Sequence, residues 1–142
     1  MALALEQARA AAARGEVPVG AVVVADGRVL AAAGNRTEEL ADPTAHAEIL
    51  ALRQAARLLG APRLIGCDLW VTLEPCPMCA GAMALARVRR LYFGAYDPKG
   101  GGVEHGPRVF NHPTCHHRPE RYGGWREVEA GALLKDFFAV RR

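Results

Sequence analysis

Hydrophobic and polar positions follow two rhythms along this chain. From Ala2 to Arg14 strong helix formers dominate, broken by the charges of Glu6, Arg9 and Arg14, and Gly15 stops the run; this predicts an opening helix. "VPVGAVVVADGRVLAAAGN" then changes texture: an apolar β-branched run, the dipeptide Asp26-Gly27, and a second apolar run to about Ala33 predict a hairpin. After the loop "RTEEL", Asp42-Pro43 reads as an N-cap followed by proline at the first helical position. With Ile49, Leu50, Leu52, Ala56 and Leu59 at helical spacing, it predicts a helix from there to Gly60. "DLWVTLE" (68–74) has the pattern of a buried strand, "PMCAGAMALARV" that of a second helix, and "RLYFGAY" (90–96) that of another strand. Strands alternating with helices predict an α/β layered sheet.

The stretch "DPKGGGVEHGPRVFN" (97–111) is glycine-rich and predicts a long loop with at most a short helix. "TCHHRPERYGG" has room for a short edge strand, limited by Pro119. "WREVEAGALLKDFFAVRR" predicts a closing amphipathic helix, with Val128, Leu134, Phe137 and Phe138 available for burial. Trp70, Tyr92 and Phe93 are expected in the core, and Cys67 as a small buried hydrophobe. No repeat, low-complexity tract or linker divides the sequence, so residues 1–142 are expected to form one domain.

Composition narrows the classes. A chain of 142 residues, 51% hydrophobic and 23% charged, can bury an ordinary core without a metal or disulfide to hold it together. No run of about 18 apolar residues occurs, and the alanine-rich start carries charges, which argues against a membrane span or secretory signal and for a cytoplasmic protein. The formal net charge of +3 does not by itself imply a polyanionic partner. Basic residues do cluster at Arg87, Arg89 and Arg90 and at Lys135, Arg141 and Arg142, as solvated helix ends or as phosphate contacts. Four cysteines without an export signal point to metal binding or catalysis rather than a disulfide framework.

Cys76 and Cys79 stand one turn apart at a predicted helix start, with Pro77 between them. A helix N-terminus favours thiolate. Such a pair suits a redox disulfide, half of a structural zinc site, or two of three ligands in a catalytic one. "PTAHAEILALR" favours the last. His46 and Glu48 sit two apart at the start of the earlier helix, where ideal geometry splays them by about 200°. Both serve one centre only if it lies off the helix end. Imidazole and two thiolates leave a fourth position open, the mark of a catalytic zinc. Glu48 is then general acid and base rather than ligand, within reach of a water whose pKa the metal lowers.

His-x-Glu followed by Pro-Cys-x-x-Cys is the signature of zinc nucleobase deaminases. Beyond it, "EVPVGAVVV", "GNR", "DPTAHAEILALR", "WVTLEPCPMCAGAM", "FGAYD" and "DFFAVRR" resemble the bacterial tRNA-specific adenosine deaminases over essentially the whole chain. The resemblance implies a cytidine-deaminase-like three-layer α/β/α fold with a central five-stranded mixed sheet, and a homodimer with one Zn2+ per subunit. It also implies conversion of the wobble adenosine of an arginine tRNA to inosine in the anticodon stem-loop. His46, Cys76 and Cys79 match the zinc ligands and Glu48 the proton shuttle. Asn35, Val19, Ala45 and Asp97 match positions of the substrate pocket, and Lys99, His112, Arg141 and Arg142 are candidate RNA contacts. Thr37, Tyr96 and Pro98 depart from the family's usual residues at the pocket rim.

The zinc motif alone is shared by cytidine and guanine deaminases, so a free-base or nucleoside deaminase is the alternative within the class. A zinc-dependent RNA-binding module without catalysis and a thioredoxin-like redox protein are the rivals outside it. Glu48 argues against the former, since a structural site needs no carboxylate beside an open position.

Overall fold

A computed structural model describes residues 1–141. Five strands form one sheet in the order β2-β1-β3-β4-β5: β1 Gly20–Ala25, β2 Arg28–Gly34, β3 Asp68–Leu73, β4 Arg90–Ala95 and β5 Glu120–Tyr122. β1 runs antiparallel to both β2 and β3, while β3, β4 and β5 are parallel. The sheet is therefore mixed, as the resemblance implies. Four helices flank it: α1 Ala2–Ala13, α2 Ala47–Leu59, α3 Pro77–Ala86 and α4 Glu127–Val140.

The expected hairpin forms, and Asp26 and Gly27 both take positive φ (51° and 72°), the pairing whose twist matches that of the flanking strands. Alternation within the strands sorts residues into two layers. Ala21, Val23, Leu69, Val71, Leu91 and Phe93 point to one face and pack with Ala51, Leu52 and Ala55 of α2 and Ala80 and Met83 of α3 in the main core. Gly20, Gly34 and Gly94 belong to the other face, where α1 and α4 approach so closely that a Cβ at Gly20 would collide with the Ala4 carbonyl oxygen. That face holds only a small cluster around Leu5, Ala95 and Ala130.

Three expectations are corrected. α2 begins at Ala47, not beside Pro43, because the Asp42 carboxylate accepts from the amide and hydroxyl of Thr44 (2.9 and 2.7 Å) and so closes a turn of its own. In the closing helix Phe137 is buried and Leu134 partly so, but Phe138 is about half exposed and Val128 is 86% exposed, since only the end of α4 and its Ala130 side reach the sheet. Trp70 and Tyr92 are half-buried rather than core. They stack at 4.0 Å on the face that α1 and α4 incompletely cover, with Trp125 set edge-on against both. Phe93 and Cys67 are buried as expected. Among the described residues no helix is long and apolar enough to cross a membrane.

Gly20→Ala removes the close approach of α1 to the sheet. The substituent meets backbone that cannot yield, so a loss of about 3 kcal/mol or more is expected, at the top of the range for overpacking. Chemical denaturation would measure it.

Candidate active site

The carboxyl ends of β3 and β4 open onto a cleft, where ligands of open α/β sheets are commonly received. β3 leads through Glu74 and Pro75 to Cys76, the N-cap of α3; β2 leads through Asn35 and a turn to His46, the N-cap of α2. Both N-cap residues have extended backbone, and neither side chain caps its own helix. The imidazole and thiol are thereby released to point along the helix ends. One of the free amides of the first turn is met from elsewhere: Asn35 Oδ1 accepts the Ala47 N–H at 3.0 Å. Capping of α2 is thus tertiary, from a residue at the end of the hairpin.

His46 Nδ1 lies 3.6 Å from Cys76 Sγ and 3.5 Å from Cys79 Sγ, and the three donor atoms fall within 4.8 Å of one another. A tetrahedral zinc with ordinary Zn–N and Zn–S bonds separates nitrogen from sulfur by about 3.6 Å. The side chains present therefore fit such an ion without rearrangement, and among the described residues this is the one His, Cys, Asp or Glu cluster so arranged. The hydrogen bond from Cys79 and that with His46 pull the Cys76 thiol down to about 4, whereas donation to Cys76 and burial push Cys79 up. Hydrogen bonding to Cys76 also raises His46. Metal binding requires both thiols to be deprotonated, so a divalent cation at these three donors would release their protons.

Glu48, two residues beyond His46 in the first turn of α2, is 4% exposed, and burial pushes its carboxyl up to about 7. A carboxyl so placed can hold a proton or give it up near neutrality, the property required of a general acid and base.

The cleft has a volume of about 340 Å3, within the usual range for small ligands. Val17, Val19 and Leu73 give it apolar walls, and Asn35, Thr37, Asp97 and Gly100 line its polar side beside His46, Glu48 and Cys76. The expected residues Val19, Asn35 and Asp97 are thus in the lining. Ala45 is not: it is fully buried, with its carbonyl accepting from the Arg36 amide. Lys99 is exposed beside Gly100. His112 Nε2 donates to the Pro107 carbonyl and lines a larger apolar groove of about 650 Å3 along α3, which contains none of the three donor residues. Arg141 folds onto the Phe137 ring at 3.5 Å, and Arg142 lies outside the described residues. Of the other basic candidates, Arg89 pairs with Asp68, Arg90 with Glu120, and Arg87 donates to the Ala84 carbonyl.

Two buried glutamates escape a motif search. Glu16 accepts from the amides of Glu38 (3.1 Å) and Glu39 (2.8 Å) and from the Thr37 hydroxyl, fastening one wall of the cleft. Glu74 does the same for the opposite wall. Their signal in the sequence is a lone acid adjoining an apolar strand run, in "GEVPVG" and "VTLEPC".

A mixed α/β/α sheet whose paired helix starts present one imidazole, two thiols and a buried carboxylic acid to a base-sized cleft is the architecture of a nucleobase deaminase. Comparison with known proteins agrees. The MafB19-like deaminase family model matches residues 1–142. The tRNA-specific adenosine deaminase of Agrobacterium fabrum is 59% identical over all of this chain and 93% of its own length. A structure solved in work on A-to-I editing by tRNA:A34 deaminases superposes with a TM-score of 0.93 at 60% identity, covering 94% of this chain and 97% of that one. Guanine deaminase from Nitrosomonas europaea is more distant, with a TM-score of 0.79 at 28% identity over 97% and 82% of the two chains. The chain belongs to the family of tRNA-specific adenosine deaminases.

Burial alone would raise Glu16, but the backbone hydrogen bonds from Glu39 and Glu38, the Thr37 hydroxyl and the charge of Arg14 outweigh it and hold the carboxyl below its ordinary value. Its stabilising contribution is full above the ordinary carboxylate range and is lost as pH falls through the lowered pKa. Glu16→Gln should therefore melt below the parent at pH 7, with the difference closing as pH falls below the ordinary carboxylate range; circular dichroism would follow both.

Proposed function

We infer that this protein deaminates the wobble-position adenosine of a tRNA anticodon loop to inosine, releasing ammonia. The observation that carries this is the buried Glu48 carboxyl beside three donors spaced for one metal ion, in a cleft sized for one base. The ion that suits His46, Cys76 and Cys79 is zinc, which when bound activates water and polarises the reacting centre. Glu48 carries two protons in turn: one from the attacking water to ring nitrogen 1 of adenine, and a second, from the hydroxyl that water leaves on carbon 6, to the amino nitrogen that departs as ammonia. Val17, Val19 and Leu73 hold the ring between apolar walls that exclude bulk water. Asn35, its oxygen held by the Ala47 amide, offers its NH2 as donor to an acceptor on the base.

An anticodon loop presents its wobble base unpaired, so turning it into the cleft costs little. Arginine tRNA is the substrate by resemblance. Lys99 stands at the rim for a phosphate, while Arg87, Arg89 and Arg90 are occupied within the chain and withdraw from that role. Residues 1–142 act as one domain. Two copies pair through α3, whose Leu85 is 76% exposed between two apolar hollows, with Met78 exposed nearby. A cytoplasmic location follows from the substrate.

Incubation with an adenosine-bearing anticodon stem-loop, followed by nucleoside analysis, should yield inosine, with free adenosine and guanine turned over far more slowly. Elemental analysis should find about one zinc per chain, and Cys76→Ser should lose it. Glu48→Gln should retain zinc and lose about 10²–10⁴-fold in kcat. Undiminished inosine from the Glu48 variant, or turnover of guanine but not of the stem-loop, would refute the assignment.

A further inference from the structure

Glu74 has no part in the proton transfers, yet it is the most heavily engaged carboxylate in the molecule. It stands between the last residue of β3 and Pro75-Cys76, its side chain wholly buried. Oε1 accepts from the Asp97 amide (3.1 Å) and from His105 Nδ1 (2.7 Å). Oε2 accepts from three successive amides, Val103 (3.2 Å), Glu104 (2.9 Å) and His105 (3.1 Å). No lysine or arginine pairs with it among the described residues; five N–H donors from one loop take the place of water.

The backbone supports the same attachment. Glu74 N–H donates to the Ala95 carbonyl and Gly102 N–H to the Pro75 carbonyl, both at 2.8 Å. A Cβ at Gly101 would overlap Glu74 Oε2, and one at Gly102 would stand 2.6 Å from Pro77 nitrogen. Those two glycines let the loop lie directly on the carboxylate and on the Cys76-Pro77 peptide. Asp97 is pinned by Glu74 at its amide and turns its own Oδ1 to the amides of Lys99 (3.2 Å) and Gly100 (2.9 Å). Asp97 and Gly100, at the two ends of this turn, line the cleft together with Asn35 and Thr37.

We propose that Glu74 is a positioning residue which sets this wall relative to the metal-binding helix start, and that the set position is what admits an adenosine carried by flanking nucleotides. A neutral side chain of the same shape does not serve, because only a carboxylate offers acceptors on both arms. This rests on the deaminase reading above and predicts a defect in binding the RNA rather than in the chemistry.

Glu74→Gln preserves volume but turns an NH2 group against amide donors. Hydrogen exchange at residues 97–105 should accelerate about 10-fold or more, with α2 and α3 unchanged. Metal content should stay at the parent level, and KM for the stem-loop should rise about 10-fold with kcat within about 3-fold. His105→Ala, which removes one of the five donors from a half-buried side chain, should show the same pattern at about 2- to 3-fold. Parental exchange and KM in Glu74→Gln would overturn the proposal, as would a loss of kcat that merely follows loss of metal. If Glu74→Gln does not fold, unchanged exchange at 97–105 in His105→Ala overturns it. Should the parent protein make no inosine, the functional reading fails while the exchange measurement still decides the role of Glu74.

Discussion

The convergence of two helix N-termini on one point is the constraint around which this molecule is arranged. His46 and Cys76 occupy N-cap positions, where a side chain usually turns back to its own helix; here each turns outward, and His46 Nδ1 lies 3.6 Å from Cys76 Sγ and 3.5 Å from Cys79 Sγ. That is possible because Asn35 supplies the missing acceptor to α2 and Pro77 removes one amide from the account at α3. The hairpin, the parallel pair β3–β4 and the packing of α2 and α3 on one sheet face follow as the means of bringing these starts together. On the opposite face Gly20, Gly34 and Gly94 let α1 and α4 lie close, beside the stack of Trp70 and Tyr92.

Three buried acids share the cleft region, and the physics of each differs. Glu48 is desolvated beside Cys76, so its proton is easily held. Glu16 and Glu74 are saturated with N–H donors, so their charge is retained and spent on fastening loops. A carboxyl whose pKa is raised does chemistry, and carboxylates whose pKa is lowered build its walls. The contrast separates the acid that titrates in use from those that must not.

Much of this was readable from residue order. The Asp26-Gly27 turn, the end of α1 at Gly15 and the Pro77 start of α3 are local, and local sterics decide them. Asp42-Pro43 misled because an N-cap signature and an Asx turn use the same side chain; the choice fell to Asn35, twelve residues before Ala47 and adjacent only after folding. Val128 misled because helical spacing shows which residues share a stripe, not whether the sheet extends beneath it. Ala45 directly precedes His46, and that its side chain is fully buried while its carbonyl accepts from Arg36 depends on the fold around it.

By itself the sequence determined the chemistry: a His-x-Glu and a Pro-Cys-x-x-Cys admit few uses, since donor type and number are properties of the residues and survive any placement. It also determined which segments become strand or helix, since side-chain periodicity is a property of neighbours. Tertiary structure alone decided that the donors stand at zinc-bonding separations, that Glu48 is dry enough to hold a proton near neutrality, and that a glycine-rich loop becomes a fixed wall through Glu74. Distances, dielectric environment and the saturation of a buried charge depend on groups far apart in the chain, and no local pattern encodes them.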